Sequence, residues 1–439
     1  MKNIFLEKSI AEIINLINLK EITSKDLLLT SEKIYENDGK KFNVWNSFGL
    51  DKNYTDLGVV NDVLKGIPFG AKDIFNTNLF PTEMGSRVWS GYFAGNNARV
   101  IDNLICAGAH IVGKTITAEF AVHQLNETLN PHDITKTPGT SSSGSAVAVQ
   151  IGNVPFALGS QTAGSIIRPA SFCGVWGFKP SFGLIPRTGV LKTTDTLDTI
   201  GFLSSHGNNL KDILNILRVK GPNYPYVNKN IDKKNHTRKK FKIGLIKTHL
   251  WKNTKDYIKK EILNFSKKIE NDKNISVTEI DWPDNLHDMH EVHSKIYFKS
   301  LSYYFSSEFK EPEYISNTMK EIISEGKNIS SKQFNEALER QTLFQNEVEK
   351  IMRDFDCCIT ISTATEAVNR GDKEIDDPSL LWTMAGIPAI NAPISYSPTN
   401  LPFGVQLISK KWDDYVLLNF VEYLIDKNLL SKFILNKKT

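Results

Sequence analysis

Hydroxyl groups and very small side chains are concentrated in two short segments about twenty residues apart. Residues 139–145 read G-T-S-S-S-G-S, and residues 159–165 read G-S-Q-T-A-G-S. Glycine permits positive φ and close approach of a ligand, and serine supplies a hydroxyl that becomes a nucleophile once a base activates it. Together the two loops are typical of a site that holds a carbonyl oxygen and attacks its carbon. One such loop alone is better explained as a Gly/Ser turn.

A lysine in an apolar setting is the candidate base. Lys72 follows G-I-P-F-G-A, in which Ile67, Phe69 and Ala71 alternate as on a short strand. Burial lowers the pKa of a lysine by disfavouring its charged form. A buried Lys72 would therefore be partly uncharged, and an uncharged amine can accept a proton. The alternative is a structural lysine at a strand edge that pairs with Asp73.

Two other motifs are rejected on their context. Residues 108–115, G-A-H-I-V-G-K-T, match the phosphate-loop pattern letter for letter. A phosphate loop needs a strand before its first glycine, whereas here a helical pattern precedes it and the interior is apolar. Residues 139–143 nearly form a nucleophile elbow, but Ser143 replaces the last glycine and no partner histidine stands out.

Three histidines, His287, His290 and His293, are spaced three residues apart in a helical region. On a helix they would share one slanting ridge and could ligate a metal. No accompanying carboxylate or cysteine set is evident, and polar helix faces often carry histidines. No metal and no cofactor are therefore expected.

Composition places the chain among ordinary globular proteins. Its 439 residues include 53 Lys and Arg against 49 Asp and Glu, a balance that gives no indication of nucleic-acid binding. The four cysteines lack C-x-x-C spacing, and two of them are adjacent in an apolar run, which suits a reducing compartment: Cys106, Cys173, Cys357 and Cys358. The N-terminus does not look like a secretory signal, and no run approaches 18 apolar residues. We expect a cytoplasmic protein that does not span a membrane.

Strands alternate with helices along the chain, which predicts an α/β protein built on one large mixed sheet. Helical patterns cover 8–36, 98–107, 145–150, 208–218, 254–270, most of 286–355, 380–386 and 413–427, with Ser24 as the expected N-cap of the second helix. Strand patterns cover 109–112, 154–158, 241–246, 275–280, 357–362, 389–394 and 404–408. A basic stretch at 220–240 has the composition of a solvated linker.

Many ordered segments resemble the amidase signature family, whose members hydrolyse amides with a Ser–cis-Ser–Lys triad. These segments are G-I-P-F-G-A-K-D at 66–73, G-K-T-I-T-A-E-F at 113–120, T-P-G-T-S-S-S-G-S at 137–145, G-S-Q-T-A-G-S-I-I-R-P-A at 159–170, G-x-K-P at 177–180 and two blocks within 384–408. The resemblance implies one domain over 1–439 with a central twisted mixed sheet flanked by helices. Within it we expect an N-terminal helical hairpin at 1–60, a catalytic core at 61–220 and 355–439, and a variable region at 241–354.

The resemblance also assigns roles to residues. Lys72 matches the base, Ser165 the nucleophile and Ser141 the bridging cis-serine. The backbone N–H groups of Thr162, Ala163 and Gly164, with that of Ser165, match the oxyanion hole. The supporting residues implied are Ser142, Gln161 and Arg168.

The chain departs from the family pattern at several positions. Thr140 stands where many members have glycine, Gln161 replaces a frequent aspartate, and Ala163 replaces a glycine. The arginine usual two residues after the nucleophile is Ile167 here, with Arg168 one residue later, and Phe178 replaces an aliphatic residue. None of these changes removes a triad residue, but together they distinguish the chain from a close copy of the tRNA-amidotransferase subunit.

Three functions remain open from the sequence. The main hypothesis is a stand-alone amidase for a small or aromatic amide, with no nucleic-acid partner and compatible with a homodimer. The first alternative is the glutamine-hydrolysing A subunit of an aminoacyl-tRNA amidotransferase, which needs partner subunits that supply the tRNA site. The second is a catalytically silent relative that binds or scaffolds.

Overall fold

The computed structural model describes residues 3–50, 62–220, 240–372, 374 and 376–435. The predicted basic linker at 220–240 lies almost entirely outside these residues. Within the described ranges, no helix combines the length and the apolar character that a membrane crossing requires.

A single mixed sheet of eleven strands runs through the described chain, as the alternating pattern predicts. The strands are β1 Trp45–Phe48, β2 Pro68–Lys72, β3 His110–Thr115, β4 Phe156–Gln161, β5 Trp176–Lys179, β6 Thr199–Ser204, β7 Phe241–Lys247, β8 Ile275–Asp281, β9 Cys357–Ile361, β10 Ala389–Tyr396 and β11 Pro402–Ile408. Their order across the sheet is β1-β3-β2-β4-β6-β5-β10-β11-β9-β7-β8. The strand β2 lies parallel to both β3 and β4, and β7 lies parallel to β8 and β9, whereas the other neighbouring pairs are antiparallel.

Helices flank this sheet. The α-helices of the described chain are α1 Ile4–Glu7, α2 Ile10–Asn18, α3 Ser24–Ile34, α4 Arg99–Cys106, α5 Ser143–Gln150, α6 Ile167–Cys173, α7 Asn209–Leu217, α8 Asp256–Glu270, α9 Met289–Tyr304, α10 Asn317–Asn328, α11 Ser331–Ile351, α12 Leu380–Met384 and α13 Asp414–Asp426. Capping boxes begin α2 at Ser9 and α11 at Ser330. In each box the serine hydroxyl accepts from the backbone N–H three residues later, and the side chain of that later residue accepts from the backbone N–H of the serine.

The centre of the sheet is buried under helices. Every residue of β2 and β4 is buried, and so is every residue of α5 and α6. The helix α5 packs on β2, β3, β4 and β6, while α6 packs on β5, β10 and β11. The two Gly/Ser segments connect these strands and helices, so they lie deep within the molecule rather than on a mobile surface loop.

Some local expectations were wrong. The cap of α3 is Thr23 rather than Ser24, because the Thr23 hydroxyl accepts from the Asp26 N–H while the Asp26 carboxylate accepts from the Thr23 N–H. The strand expected at 154–158 runs on to Gln161, since β6 pairs with it as far as Thr199. The segment 159–165 is therefore half strand and half loop.

Candidate active site

The amine of Lys72 contacts the hydroxyl of Ser141. Lys72 ends β2 and is fully buried, and its Nζ lies 2.7 Å from Ser141 Oγ. Burial lowers the pKa of Lys72 to about 7, and the negative charge of Asp198 opposes that shift. The peptide bond between Thr140 and Ser141 is cis. A partly neutral amine in contact with a hydroxyl is the arrangement that general-base chemistry requires.

A second hydroxyl, that of Ser160, lies 2.9 Å from the same amine. The reason is topological, because β2 and β4 are parallel neighbours and Ala71 pairs with Leu158. The ends of the two strands therefore place Lys72 beside Ser160. Carboxyl ends of adjacent parallel strands are where α/β proteins usually build their sites.

Two hydrogen bonds connect the first Gly/Ser segment, residues 139–145, to the second segment, residues 159–165, and to the helix that follows it. Ser142 Oγ donates to the carbonyl oxygen of Ser160 at 3.2 Å. Eight residues further along the chain from Ser160, the Arg168 guanidinium donates to the carbonyl oxygen of Thr140 at 2.7 Å. Ser165 lies between these two attachments and is only 5% exposed. No hydrogen bond of the Ser165 hydroxyl is found in the described part of the chain, so this hydroxyl is not yet bonded to Ser141.

The second segment presents a row of free backbone donors. Among the described residues, no acceptor meets the N–H groups of Thr162, Ala163, Gly164 or Ser165. The next two N–H groups, at Ile166 and Ile167, both donate to Oε1 of Gln161, at 2.9 and 3.0 Å. Consecutive unoccupied N–H groups form an anion-binding concavity. The neutral Gln161 amide thus satisfies the start of α6 and leaves the four preceding donors available.

Buried side chains fix the loop of free donors from both sides. Thr383 Oγ1 donates to the carbonyl oxygen of Ala163 at 2.7 Å and accepts from Gln161 Nε2 at 3.0 Å. On the other side, Thr162 Oγ1 donates to Asp198 at 2.8 Å. The Asp198 carboxylate also accepts from the backbone and side chain of both Thr193 and Thr194. The loop is therefore held in place before any ligand binds.

Arg168 sits in a pocket of negative charge. Its guanidinium contacts Asp377 at 2.8 Å and Glu374 at 2.9 Å, in addition to the Thr140 carbonyl. It also lies 3.1 Å from Nδ1 of His123. Burial and the Arg168 charge lower the pKa of His123 to about 3, so the ring is neutral and accepts from the guanidinium.

A cavity of about 590 Å³ opens onto these groups. It reaches Thr140 of the first segment and Ala163 of the second, and Arg168 forms part of its wall. Apolar side chains line another part of it, namely Leu125, Phe298, Ile322 and Leu380. The cavity is large enough for a small organic molecule, and it meets the row of free N–H groups at Ala163.

Asp73 does not pair with Lys72, which removes the structural alternative for that lysine. Its carboxylate instead accepts from Lys114 Nζ at 2.8 Å, and both side chains are buried. Burial raises the pKa of Asp73 to about 6 and lowers that of Lys114. Lys114 is the lysine of the phosphate-loop motif, and it lies on strand β3 rather than at the start of a helix.

The three spaced histidines have separate contacts. Nε2 of His290 lies 3.1 Å from the Asp377 carbonyl oxygen, and Nε2 of His293 lies 3.0 Å from the Thr162 carbonyl oxygen. The ring of His287 lies against that of His249, with centroids 4.7 Å apart. No group of three or more potential ligands is arranged for a metal ion in the ranges that the structure describes.

Sequence reasoning gave no role to several residues of this site, among them Ser160, Asp198, Asp377 and the cavity-lining Tyr297. Ser160 and Asp198 lie in segments that were noticed, but their contacts arise from strand pairing across the sheet. Tyr297 lies on α9 and Asp377 lies in the loop before α12, and neither segment carries a motif. A pair of threonines close to an aspartate in T-T-D-T-L-D was the one local signal for Asp198.

Comparison with known proteins identifies the family of this chain. The family model described as Amidase matches residues 44–418. The chain belongs to the amidase signature family. As a family member it is an amide-cleaving hydrolase.

Amidase signature relatives of similar length are found among archaea and bacteria. The A subunit of glutamyl-tRNA(Gln) amidotransferase from Methanosarcina mazei is 30% identical over 410 residues, which cover 83% of this chain and 85% of the relative. The protein of the same name from Halothermothrix orenii is 27% identical over 470 residues, with 97% and 98% covered.

Solved amidase signature structures share the fold. Native peptide amidase from Stenotrophomonas maltophilia has a TM-score of 0.83 at 20% identity, with 99% of each chain covered. The A subunit of glutamyl-tRNA(Gln) amidotransferase from Thermotoga maritima has a TM-score of 0.83 at 23% identity, again with 99% of each chain covered. At these identities the likeness establishes the fold alone.

Proposed function

We propose that the chain hydrolyses a carboxylic amide through an acyl-enzyme on Ser165, with Ser141 and Lys72 as the proton relay. The observation that carries this proposal is the 2.7 Å contact between the buried Lys72 amine, whose pKa is about 7, and the Ser141 hydroxyl. At neutral pH a large fraction of such an amine is uncharged and can accept a proton.

Each step of the reaction then has a group to perform it. Neutral Lys72 takes a proton from Ser141 as Ser141 takes one from Ser165, and Ser165 Oγ attacks the amide carbonyl carbon. The oxyanion receives hydrogen bonds from the free N–H groups of residues 162–165. Ser141 returns the proton to the leaving nitrogen as the C–N bond breaks. Water then attacks the ester by the reverse relay, which releases the acid and restores Ser165.

The main substrate hypothesis is a small or aromatic amide. The support for it is the cavity of about 590 Å³ and its apolar wall at Leu125, Phe298, Ile322 and Leu380. The size suits a small acyl group, and the apolar wall suits an aliphatic or aromatic body.

Ser165→Ala and Lys72→Ala test the relay. Because both groups act as one unit, each change should lower the rate of ammonia release by at least ~10³-fold while the circular-dichroism spectrum is unchanged. Ser331→Ala, at the exposed start of α11, is the matched control and should keep full activity. Full activity of either relay variant would refute the proposal.

Labelling by a fluorophosphonate separates an enzyme from a silent relative. Such a probe should modify Ser165 in the intact chain and leave Ser165→Ala unmodified, because only an activated serine reacts quickly. Absence of labelling at Ser165, with amides also left intact, would favour the scaffold hypothesis.

The second candidate is a glutamine-hydrolysing subunit. It is favoured by the curated relatives, which are named as the A subunit of glutamyl-tRNA(Gln) amidotransferase, are 27–30% identical and span most of this chain. A direct comparison of ammonia release from glutamine and from a panel of small amides and ureas decides between the two candidates. Activity confined to glutamine would replace the main substrate hypothesis.

A further inference from the structure

The side chain of His293 donates to the backbone of the loop that carries the free N–H groups. His293 lies on α9 and is 4% exposed, and its Nε2 is 3.0 Å from the carbonyl oxygen of Thr162. A carbonyl oxygen can only accept a hydrogen bond, so Nε2 must carry the ring proton. Burial lowers the pKa of His293 to about 4, so the ring is uncharged at neutral pH and keeps this tautomer.

This hydrogen bond fixes the direction of the next N–H along the chain. The Thr162 carbonyl and the Ala163 N–H belong to one peptide unit, and this unit is trans, because the only cis peptide bond found in the described ranges precedes Ser141. In a planar trans unit the C=O and the N–H point in opposite directions. With its carbonyl held by α9, the unit therefore points the Ala163 N–H away from that helix.

The two following N–H groups are directed in the same way. The carbonyl oxygen of Ala163, opposite the Gly164 N–H, accepts from Thr383 Oγ1 at 2.7 Å. The carbonyl oxygen of Gly164, opposite the Ser165 N–H, accepts from the backbone N–H of Arg168 at 2.9 Å. Three consecutive N–H groups of the proposed oxyanion hole therefore each have the far end of their peptide unit held by a hydrogen bond.

The first of these three peptide units depends on His293 alone. In the part of the chain that the structure describes, no second donor meets the carbonyl oxygen of Thr162. The bond from Thr162 Oγ1 to Asp198 holds the side chain of this residue and leaves its carbonyl free to turn. A peptide unit rotates as one body, so a change in the direction of this carbonyl also changes the direction of the Ala163 N–H.

We propose that His293 is a positioning residue for amide hydrolysis, because its Nε2–H holds the Thr162 carbonyl and so directs the Ala163 N–H at the oxyanion of the transition state. The proposal rests on the proposed function and adds a residue to it. His293 itself touches no reacting atom and transfers no proton. Since oriented donors stabilise the charge that develops in the transition state, a misdirected donor should lower the rate of reaction more than the binding of substrate.

A fluorophosphonate measures the effect of this donor without knowledge of the substrate. As Ser165 Oγ bonds to phosphorus and fluoride leaves, the serine proton passes into the relay and the P=O oxygen gains negative charge. Labelling therefore uses the same N–H groups as amide hydrolysis. The limiting rate of labelling at saturating probe reports on the transition state, whereas the half-saturation concentration reports on binding.

Two variants separate the N–H donor from the bulk of the ring. His293→Leu is similar in size but lacks the donor, and it should lower the limiting rate by about tenfold to a hundredfold, less than the loss of a whole oxyanion donor, with the half-saturation concentration within about twofold. His293→Gln keeps an N–H donor and should stay within about threefold of the unaltered protein in both quantities. His287→Gln, at an exposed histidine just before α9, is the matched control and should change neither.

The same pattern is expected for amide hydrolysis. With whichever small amide the unaltered protein hydrolyses best, His293→Leu should lower kcat by a factor close to that for labelling and leave KM within about twofold. Circular dichroism and a thermal unfolding curve establish that each variant is folded under the assay conditions. His293→Ala, which also lacks the donor, provides the same test if the leucine side chain does not fit.

Three results would overturn this inference. A full labelling rate in folded His293→Leu is the first, because a histidine that only satisfied its own buried N–H would give that result. The second is an equal loss in His293→Leu and His293→Gln, since the donor would then be irrelevant. The third is a loss confined to the half-saturation concentration. If the unaltered protein is not labelled at Ser165, the proposed function itself has failed, and that outcome is distinct from these three.

Discussion

Lys72, the proposed base, is a fully buried amine, and burying an amine is costly to the fold. A fully buried amine would normally be paired with a carboxylate, and Lys114 on the neighbouring strand β3 is paired in this way with Asp73. Among the described residues, Lys72 is bonded to two hydroxyls, and burial lowers its pKa to about 7. An unpaired lysine beside a serine is therefore better explained by proton transfer than by stability.

The pH dependence of the rate tests the role of Lys72. A lowered pKa means that the amine is charged below about pH 7 and neutral above it. Since only the neutral amine accepts a proton, kcat/KM should rise about tenfold per pH unit below pH 7 and level off above it. A profile that is flat or falls between pH 6 and 9 would exclude Lys72 as the base.

Asp198→Asn provides the matched variant for this profile. The Asp198 charge raises the pKa of Lys72, so its removal should lower that pKa and move the rising limb to lower pH. The plateau value of kcat/KM at high pH should also fall, because the Thr162 hydroxyl loses a charged acceptor at 2.8 Å. Asp195→Asn, three residues away in the sequence, is the control and should leave the rising limb of the kcat/KM profile at the same pH. A limb that stays fixed in Asp198→Asn would show that this carboxylate does not act on the base.

At the scale of elements, the loop between β4 and α6 is held by close contacts on several sides. Gly164 shows how little space is left, since a Cβ there would lie 1.7 Å from Asp377 Oδ2 and 2.4 Å from Ser379 Oγ. Asp377 also binds Arg168, which holds the Thr140 carbonyl. Displacement at Gly164 is therefore transmitted to both Gly/Ser segments.

Gly164→Ala should disable the loop. The added methyl has to displace the Asp377 carboxylate or the loop itself, so we expect a loss of ~1–3 kcal/mol in the free energy of unfolding from overpacking. Misplacing the N–H donors should lower kcat by ~10²–10³-fold. The control is Gly49→Ala, where the nearest atom to the new Cβ is 3.8 Å away. Wild-type kcat in Gly164→Ala would contradict the role given to this loop.

Elements with strong periodicity could be predicted from the sequence, and short ones could not. The β–α–β unit of β7, α8 and β8 was predicted within two residues at each boundary, because its alternating and helical patterns are unbroken. Strand β5, W-G-F-K, was not among the predicted strands, because it is four residues long and a glycine interrupts it. Helix α6 contains Pro169 near its start, where the missing N–H is tolerated.

At the scale of the whole molecule, the site depends on a sheet order that the sequence does not reveal. Composition pointed to the segments that contain Lys72, Ser141 and Ser165, and the family resemblance then selected these three residues. Their neighbours come from distant parts of the chain, for instance Asp198 before β6 and Tyr297 on α9. Such residues carry no local signal, since their importance arises only when β2, β4 and β6 become neighbours in one sheet.

All parts of the proposed site come from this one chain, so we expect the chain to hydrolyse amides without partner subunits. The relay, the free N–H groups and the cavity wall all belong to this chain, and all lie around a single sheet. The isolated chain should therefore release ammonia from its amide substrate at a rate that added subunits do not change. Light scattering during the assay establishes that no partner is present. Ammonia release that appears only with two co-purified subunits, and only from glutamine, would instead favour the amidotransferase hypothesis, because acyl transfer would then depend on groups outside this chain.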